Sequence, residues 1–288
     1  MVPAPKGTTF GAGAVVPVRP GACVPGLFFQ ATDARRCGTS RTMFDLTSGA
    51  DVARLTLSRP ETRNAIPLEG WSGLADAAEQ AARSGARVLI LAGTAGGAFC
   101  SGADVGAFGR FREDEAARSH FREAIRAGLG RLRALPIPTI ALVEGAAYGA
   151  GVAVAMACDI RMAGSGARFA ITPAKLGISY LQEDVHRLVG LVGSGQAARL
   201  LMSAESIDGA EAVRIGLADV FADDSPAEAA RLGAAIAAND AESLRVLKRA
   251  IQLAATGTAE DAEQDRAFDV LLGSDALVER LAALRPGR

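Results

Sequence analysis

Residues 139–160 (TIALVEGAAYGAGVAVAMACDI) form the stretch that decides the fold of this chain. The apolar, β-branched run at 139–143 is typical of a buried strand. A glycine-rich turn at 145–151 and a run of small residues at 152–158 follow it. A strand, a glycine turn and a tightly packed helix bring the free N–H groups of a helix N-terminus close to a ligand. The pattern therefore predicts a site for an anionic or carbonyl group at this turn.

The composition is that of an ordinary globular protein and argues against two classes of function. Of 288 residues, 49% are apolar and 22% are charged, and the net charge of -1 gives no electrostatic footprint for nucleic acid. No apolar run approaches the roughly 20 residues that span a membrane. The four cysteines show no metal-ligand spacing, which favours reduced thiols in a cytoplasmic protein.

The chain divides by composition into three parts. Residues 1–42 are rich in Pro, Gly and Ala without a sustained period, so we interpret them as a flexible extension or as the product of an upstream start codon. Strand and helix patterns alternate over residues 43–222, and residues 223–288 have a helical pattern. This order predicts an α/β layer protein with a C-terminal helical region.

Local patterns predict the individual elements of this α/β protein. The predicted strands are 52–57, 87–92, 139–143, 159–163 and 167–171, and the predicted helices are 67–83 and 113–134. The sequence is mostly helical in pattern from residue 183, with three helices predicted between 226 and 284. In the helix at 113–134, one apolar face is formed by Phe121, Ile125, Leu129 and Leu132.

Five motifs resemble, in order and spacing, those of the crotonase superfamily, which includes the enoyl-CoA hydratases and isomerases. They are RPETRNA at 59–65, AFCSGADV at 98–105, VEGAAYGAG at 143–151, AMACDI at 155–160 and DGAEAVRIGLA at 208–218. The resemblance implies a crotonase-like spiral of ββα turns whose C-terminal helices serve in trimerisation, often as a hexamer (a dimer of trimers). It also implies an acyl-CoA thioester as substrate, with coenzyme A as part of that substrate and no separate cofactor.

The resemblance further implies an oxyanion hole. Family reactions share an enolate-like intermediate, and stabilising its oxyanion requires two preorganised donors. By resemblance these donors are the backbone N–H groups of Ala103 and Ala150. Ala150 replaces the glycine that is usual in this turn, but alanine keeps the N–H group.

The same resemblance assigns residues to coenzyme A. Arg63, Asn64 and Ala65 lie where the family cradles the adenine and phosphate end, and an arginine there can meet a phosphate directly. Ala103 and Asp104 of the first oxyanion loop complete this group. We expect Asp104 to fix the loop rather than to take part in the chemistry.

The departures from the family pattern concern acid–base chemistry. Hydratases of the family use two glutamates, and this chain has Ala153 and Pro173 at those positions, where neither residue can transfer a proton. The segment 172–180 (TPAKLGISY) resembles the methylmalonyl-CoA decarboxylase branch, which carries a tyrosine at the position of Tyr180. That branch also uses a histidine at the position of Ala103, so the match is partial.

Two acidic residues follow beside the expected acyl pocket. Glu183 and Asp184 lie at a helix start, where acids also complement the helix dipole. The first hypothesis is a lyase or isomerase that uses Tyr180 with Glu183 or Asp184 in isomerisation, decarboxylation, C–C cleavage or unusual hydration. The second is a non-catalytic acyl-CoA binder of the same fold. Whether CoA or a pantetheine arm carries the thioester stays open.

A dinucleotide-binding turn at residues 149–151 is a third hypothesis with weaker support. Such turns carry a third glycine at the position where this chain has Val154. They are also followed, about 20 residues later, by an acidic residue that binds the ribose, and this chain has no well-placed acid there. The sequence therefore favours the acyl-CoA hypotheses.

Overall fold

Strands and helices alternate along residues 43–49 and 51–284, the part of the chain that the computed structural model describes. The strands are β1 (Phe44–Ser48), β2 (Val52–Leu57), β3 (Val88–Gly93), β4 (Thr139–Val143), β5 (Ala146–Tyr148), β6 (Ile160–Gly164), β7 (Arg168–Ala170), β8 (Ser206–Asp208) and β9 (Val220–Ala222). The α-helices are α1 (Gly70–Arg83), α2 (Glu115–Arg133), α3 (Ala150–Ala157), α4 (Gln182–Ser203), α5 (Gly209–Arg214), α6 (Ser225–Ala237), α7 (Ala241–Ala255), α8 (Ala262–Leu272) and α9 (Asp275–Leu284). None of these helices is long and apolar enough to cross a membrane. The interpretation of residues 1–42 lies outside the described residues.

The strands form two sheets. The larger sheet has the order β1-β2-β3-β4-β6-β9, in which β1 is antiparallel to β2 and all other neighbours are parallel. The smaller sheet has the order β5-β7-β8, with β5 parallel and β8 antiparallel to β7. The glycine turn after β4 therefore contributes a strand to the second sheet.

Helices cover both faces of the larger sheet. Because neighbouring residues of a strand point to opposite faces, Leu89 and Leu91 of β3 join the main core with α1, α2 and α3. Val88 and Ile90 of the same strand pack instead with α6. All residues of β3 and β4 are buried, which explains why these strands read as continuous apolar runs.

The α/β prediction is confirmed, and each predicted strand and helix up to residue 171 is present with small shifts at its ends. The predicted face of α2 is correct, since Ile125, Leu129 and Leu132 are buried and Phe121 packs against the core. The prediction of three helices between residues 226 and 284 is wrong, because the described residues of this region form four helices, α6 to α9. Only Gly273 and Ser274 separate α8 from α9, so the helical pattern continues across the break. The short strands β1, β5, β8 and β9 were not predicted.

An ion pair between a buried lysine and a partly exposed aspartate joins the C-terminal helices to the sheet. Lys248 of α7 is 7% exposed, and its Nζ lies 2.9 Å from Oδ2 of Asp159 and donates to the carbonyl of Ile137 at 2.8 Å. The same carboxylate oxygen accepts from the N–H and the hydroxyl of Thr139 at 2.8 and 2.9 Å. Residues on both sides of position 222 thus share contacts, and the predicted division there stays a prediction.

Replacing Lys248 should destabilise the fold. In Lys248→Met the Asp159 carboxylate loses its cation and the Ile137 carbonyl loses its donor, and we expect a cost of about 1–2 kcal/mol because Asp159 keeps contact with water. The measurement is the free energy of unfolding from urea titration. Arg245→Met is the matched control, because Arg245 lies on the same helix in an exposed pair with Glu242 and should lose no more than about 0.5 kcal/mol. Equal losses in the two variants would contradict a structural role for the contacts of Lys248.

Candidate active site

Two glycine-containing loops of the chain lie side by side. The N–H of Cys100 donates to the carbonyl of Ala146 at 3.0 Å, and the N–H of Tyr148 donates to the carbonyl of Cys100 at 2.9 Å. These bonds form a parallel bridge between Cys100 and Ala147. The loop that carries Ala103 is therefore aligned with the loop that carries Ala150.

Gly102 lets the two loops approach closely. Its φ is +110°, and a Cβ added there would lie 2.9 Å from the carbonyl oxygen of Tyr148 and 3.4 Å from the nitrogen of Ala150. A side chain at this position would thus push the second loop away and strain the backbone. Because Gly102 has no side chain, the loop that carries Ala103 can lie close to Ala150, the first residue of α3.

The N–H groups of Ala103 and Ala150 have no acceptor among the described residues. Gly102 accepts from the N–H of Ile66, and Asp104 donates to the carbonyl of Ile66, both at 2.9 Å. Since alternate residues of an extended segment face opposite ways, the N–H of Ala103 points away from Ile66. Ala150 begins α3, where the first N–H groups lack helical partners, and no side chain caps this helix. Their role as oxyanion donors stays a prediction.

Asn64 ties a third loop to this pair. It is 2% exposed, and its amide donates to the carbonyls of Ala98 at 2.7 Å and Phe99 at 3.3 Å. Its side-chain oxygen accepts from the N–H of Arg59 at 2.8 Å. The hydrogen bonds of this side chain thus go to the protein and hold the 59–65 loop in place. Its assignment to coenzyme A stays a prediction.

The other residues assigned to coenzyme A surround the same loop. Arg63 is exposed and has a left-handed backbone with φ of 53°, and its carbonyl accepts from the N–H of Ser101 at 3.0 Å. The Ala65 carbonyl accepts from Arg59 at 3.1 Å. Oδ2 of Asp104 lies 3.7 Å from a guanidinium nitrogen of Arg59, and Oδ1 of Asp104 accepts from the N–H of Gly106 at 3.0 Å. Asp104 therefore holds the turn that follows Ala103.

The Tyr180 hydroxyl points at the second loop. It donates to the carbonyl of Gly149 at 3.0 Å, and the ring packs against the main core. Burial, with a smaller contribution from the charge of Asp184, raises the pKa of the hydroxyl well above its usual value near 10. The hydroxyl is therefore neutral at physiological pH and in contact with the backbone beside Ala150. The sequence suggested Tyr180 by position but carried no signal for this carbonyl partner.

Glu183 and Asp184 have different surroundings although they are adjacent. Glu183 is exposed and forms ion pairs with Arg126 and, at 3.9 Å, with Arg133. Asp184 is 3% exposed. Burial raises the pKa of its carboxyl to about 6, against the opposing effect of Arg133 and with a further increase from Glu183. Asp184 is therefore the buried acid of this pair, with a carboxyl pKa of about 6.

Neither glutamate position of the family holds a titratable group. Ala153 is 1% exposed in the middle of α3. Pro173 begins a short 3-10 helix, Pro173–Leu176. The Cys100 thiol lies nearby in the first loop, but burial raises its pKa to about 12, so the sulfur stays protonated and unreactive.

Comparison with known proteins identifies the family. The family model for Enoyl-CoA hydratase/isomerase matches residues 47–274. A Mycobacterium tuberculosis protein named "Probable enoyl-CoA hydratase echA6" is 33% identical over 179 residues, which cover 62% of this chain and 70% of that protein. The "Probable enoyl-CoA hydratase 2, mitochondrial" of Arabidopsis thaliana is 31% identical over 248 residues, which cover 84% of this chain and 82% of that protein.

Solved structures share the fold. An enoyl-CoA hydratase/carnithine racemase from Magnetospirillum magneticum has a TM-score of 0.81 at 28% identity and covers 85% of this chain and 93% of its own. An enoyl-CoA hydratase from Bacillus anthracis has a TM-score of 0.75 at 27% identity and covers 84% and 95%. The chain belongs to the enoyl-CoA hydratase/isomerase family, and the predicted crotonase fold with its C-terminal helices is confirmed.

The pKa of Asp184 predicts a pH-dependent effect on stability. The carboxyl binds its proton more tightly when folded, at a pKa of about 6, than when unfolded, at about 3.9. Below about pH 4 the carboxyl is protonated in both states, so its ionisation does not affect stability. As the pH rises, ionisation of the buried carboxyl lowers the free energy of unfolding, by up to about 3 kcal/mol above pH 6. Asp184→Asn should raise the free energy of unfolding by about 1–3 kcal/mol at pH 8 and by little at pH 4.

Urea titrations at the two pH values measure this difference. Asp223→Asn serves as the control, because Asp223 is exposed in a turn and its substitution should have the same small effect at both values. A gain at pH 4 equal to that at pH 8 would rule out ionisation of Asp184 as the cause.

Proposed function

We propose that this protein acts on an acyl-CoA or pantetheine thioester and stabilises an enolate oxyanion with the N–H groups of Ala103 and Ala150. The observation that supports this most directly is the pairing of the two loops, in which neither N–H group has an acceptor in the described part of the chain. Backbone donors aimed at developing charge commonly contribute about 3 kcal/mol to the barrier reduction of such reactions. The named relatives are enoyl-CoA hydratases, which supports the substrate class.

For the same thioester, we assign Arg63 to a phosphate of coenzyme A. The residue is exposed and its carbonyl bonds the loop that carries Ala103, and arginine matches phosphate geometry. Asn64, Ala65 and Asp104 shape that end of the site through the contacts described above. Coenzyme A is then part of the substrate and is not a separate cofactor.

The proposed acid–base chemistry departs from that of paired-glutamate hydratases. Ala153 and Pro173 replace both glutamates, so we propose a lyase or isomerase reaction: isomerisation, decarboxylation or an unusual hydration. Decarboxylation fits this set of residues, because breaking the bond to the leaving CO2 passes its electron pair to the enolate without any base. Asp184 is the candidate acid that returns a proton to that enolate, since part of it is protonated near neutrality. The partial resemblance of residues 172–180 to a decarboxylase branch supports the same reaction.

A non-catalytic acyl-CoA binder is the second candidate, and the two missing glutamates favour it. Titration with a panel of acyl-CoA thioesters, combined with mass spectrometry of the products, separates the two candidates. Loss of CO2, gain of water or a shifted double bond supports the enzyme. Tight binding without any product across the panel supports the binder, and no binding at all would contradict both.

Ala150→Pro should abolish turnover of whichever thioester the panel identifies. Proline is tolerated at the first position of a helix, which is where Ala150 lies, so the fold should persist while the donor N–H is lost. We expect kcat to fall about a hundredfold or more. Ala150→Gly keeps the N–H and should retain most of the turnover. Full activity of Ala150→Pro would exclude Ala150 as a donor.

We also propose a homotrimer, or a hexamer built from two trimers, assembled through the C-terminal helices. Helices α7 to α9 expose large apolar side chains: Leu247, Ile251, Phe268, Val270, Leu272, Val278 and Leu281. Soluble monomers rarely leave so much apolar surface together in water. The larger assembly follows the family resemblance.

Sedimentation of the purified protein tests this assembly. The unchanged chain should sediment as a trimer or hexamer, and Ile251→Asp should shift it to a smaller species by placing a charge in the apolar contact. Met202→Asp on α4, which is 82% exposed in the single chain, is the control for adding a charge elsewhere. A monomeric unchanged chain would contradict the proposal.

A further inference from the structure

The hydrogen bond of Tyr180 ends on the peptide unit that supplies one of the proposed oxyanion donors. The hydroxyl donates to the carbonyl of Gly149 at 3.0 Å. That carbonyl and the N–H of Ala150 belong to one planar amide, because the peptide bond joins them by resonance. A hydrogen bond to the carbonyl oxygen therefore changes the charge on the N–H group of the same amide.

We propose that Tyr180 is a positioning residue that orients and polarises the Gly149–Ala150 peptide, so that the Ala150 N–H becomes a stronger and better-aimed donor to the thioester oxygen. This inference rests on the proposed function and differs from a direct proton-transfer role for Tyr180. It gives the tyrosine a task that needs its hydroxyl but no change in its protonation.

Polarisation follows from the direction of the hydrogen bond. A donor at the carbonyl oxygen draws electron density toward that oxygen and leaves the amide hydrogen more positive. Chains of hydrogen bonds strengthen one another in this way, by roughly 10–30% per bond. The chain here runs from the hydroxyl of Tyr180 through the peptide to the N–H of Ala150, and ends at the thioester oxygen when substrate is bound.

Orientation follows from how this turn is held. Gly149 has φ of 50° and ψ of -118°, which lie outside the helix that begins at the next residue. Its N–H donates to the carbonyl of Ala170 at 2.8 Å, and its carbonyl also accepts from the N–H of Val152 at 3.0 Å. Tyr180 adds a side-chain bond from outside α3, so the plane of the peptide is fixed from two directions.

The surroundings of the hydroxyl argue against proton transfer by Tyr180. Its hydrogen is directed at a carbonyl oxygen, which is not a proton acceptor in the reaction. Burial and the charge of Asp184 also raise its pKa well above the usual value. A group held neutral and bonded to the backbone is suited to positioning.

The test compares the unchanged chain with Tyr180→Phe, using an acyl-CoA labelled with carbon-13 at the thioester carbonyl. Butyryl-CoA is the first probe, and the best-binding member of the panel replaces it if its affinity is low. Difference infrared spectra report how strongly the carbonyl is polarised. In the unchanged chain the stretching frequency should fall below its value in solution, and in Tyr180→Phe this downshift should be smaller.

Kinetic measurements accompany the spectra. Losing one hydrogen bond that acts through the peptide should lower kcat about three- to tenfold, with the affinity for the thioester changed less than about twofold and the pH profile of kcat keeping its shape. Ser179→Ala removes a neighbouring exposed hydroxyl that donates to the carbonyl of Tyr180, and should change neither readout.

The outcomes separate the two levels of the proposal. If the unchanged chain binds no thioester or shows no downshift, the proposed oxyanion hole fails. If that downshift is present and is the same in Tyr180→Phe, the positioning role is overturned. A large loss of kcat with an unchanged carbonyl frequency and an altered pH profile would also overturn it in favour of proton transfer.

A second variant guards against a fold defect in Tyr180→Phe. A ring-fluorinated tyrosine incorporated at position 180 keeps the size of the residue but makes the hydroxyl a stronger donor. It should increase the downshift beyond that of the unchanged chain. A smaller or equal downshift with this analogue would contradict the inference.

Discussion

The pairing of residues 98–104 with residues 146–150 is the contact on which the candidate site depends. The bridge between Cys100 and Ala147 sets the alignment, and the missing side chain of Gly102 sets the separation. A hole for an oxyanion works only if its donors stay within about half an ångström of the productive geometry. In the proposed hole both donors are backbone groups, which have no rotamers to order and no ionisation to lose.

This construction explains why a substitution within the turn is compatible with the site. The proposed role of Ala150 needs only a backbone N–H, and any residue other than proline supplies one, so a small side chain in place of glycine keeps the proposed donor. At Gly102, by contrast, an added side chain meets the backbone of the other loop. Asn64 fixes a third loop to this pair, because its buried side-chain amide donates hydrogen bonds to two backbone carbonyls of the loop that carries Ala103.

The sequence predicted what depends on local pattern and missed what depends on tertiary partners. Strand β4 has the pattern of a buried strand because each of its residues is buried, whereas β5 has only three residues and is held by its pairing with β7 and its bridge to Cys100. Glu183 and Asp184 are adjacent acidic residues that the sequence does not distinguish. Neighbouring residues of a helix point about 100° apart, so one reaches the arginines of α2 and the other is buried. Nothing local distinguishes them.

The proposed oxyanion hole and the buried acid Asp184 together constrain the proposed chemistry. A carboxyl group with a pKa of about 6 is matched to proton transfer near neutral pH, which fits a group that returns a proton to an enolate. The two positions where a hydratase of the family carries glutamates hold Ala153 and Pro173, which transfer no proton. A substrate whose own bond cleavage releases the electron pair needs only one proton to be delivered. The proposed chemistry therefore favours such a substrate, with the N–H groups of Ala103 and Ala150 as the proposed donors to the oxyanion.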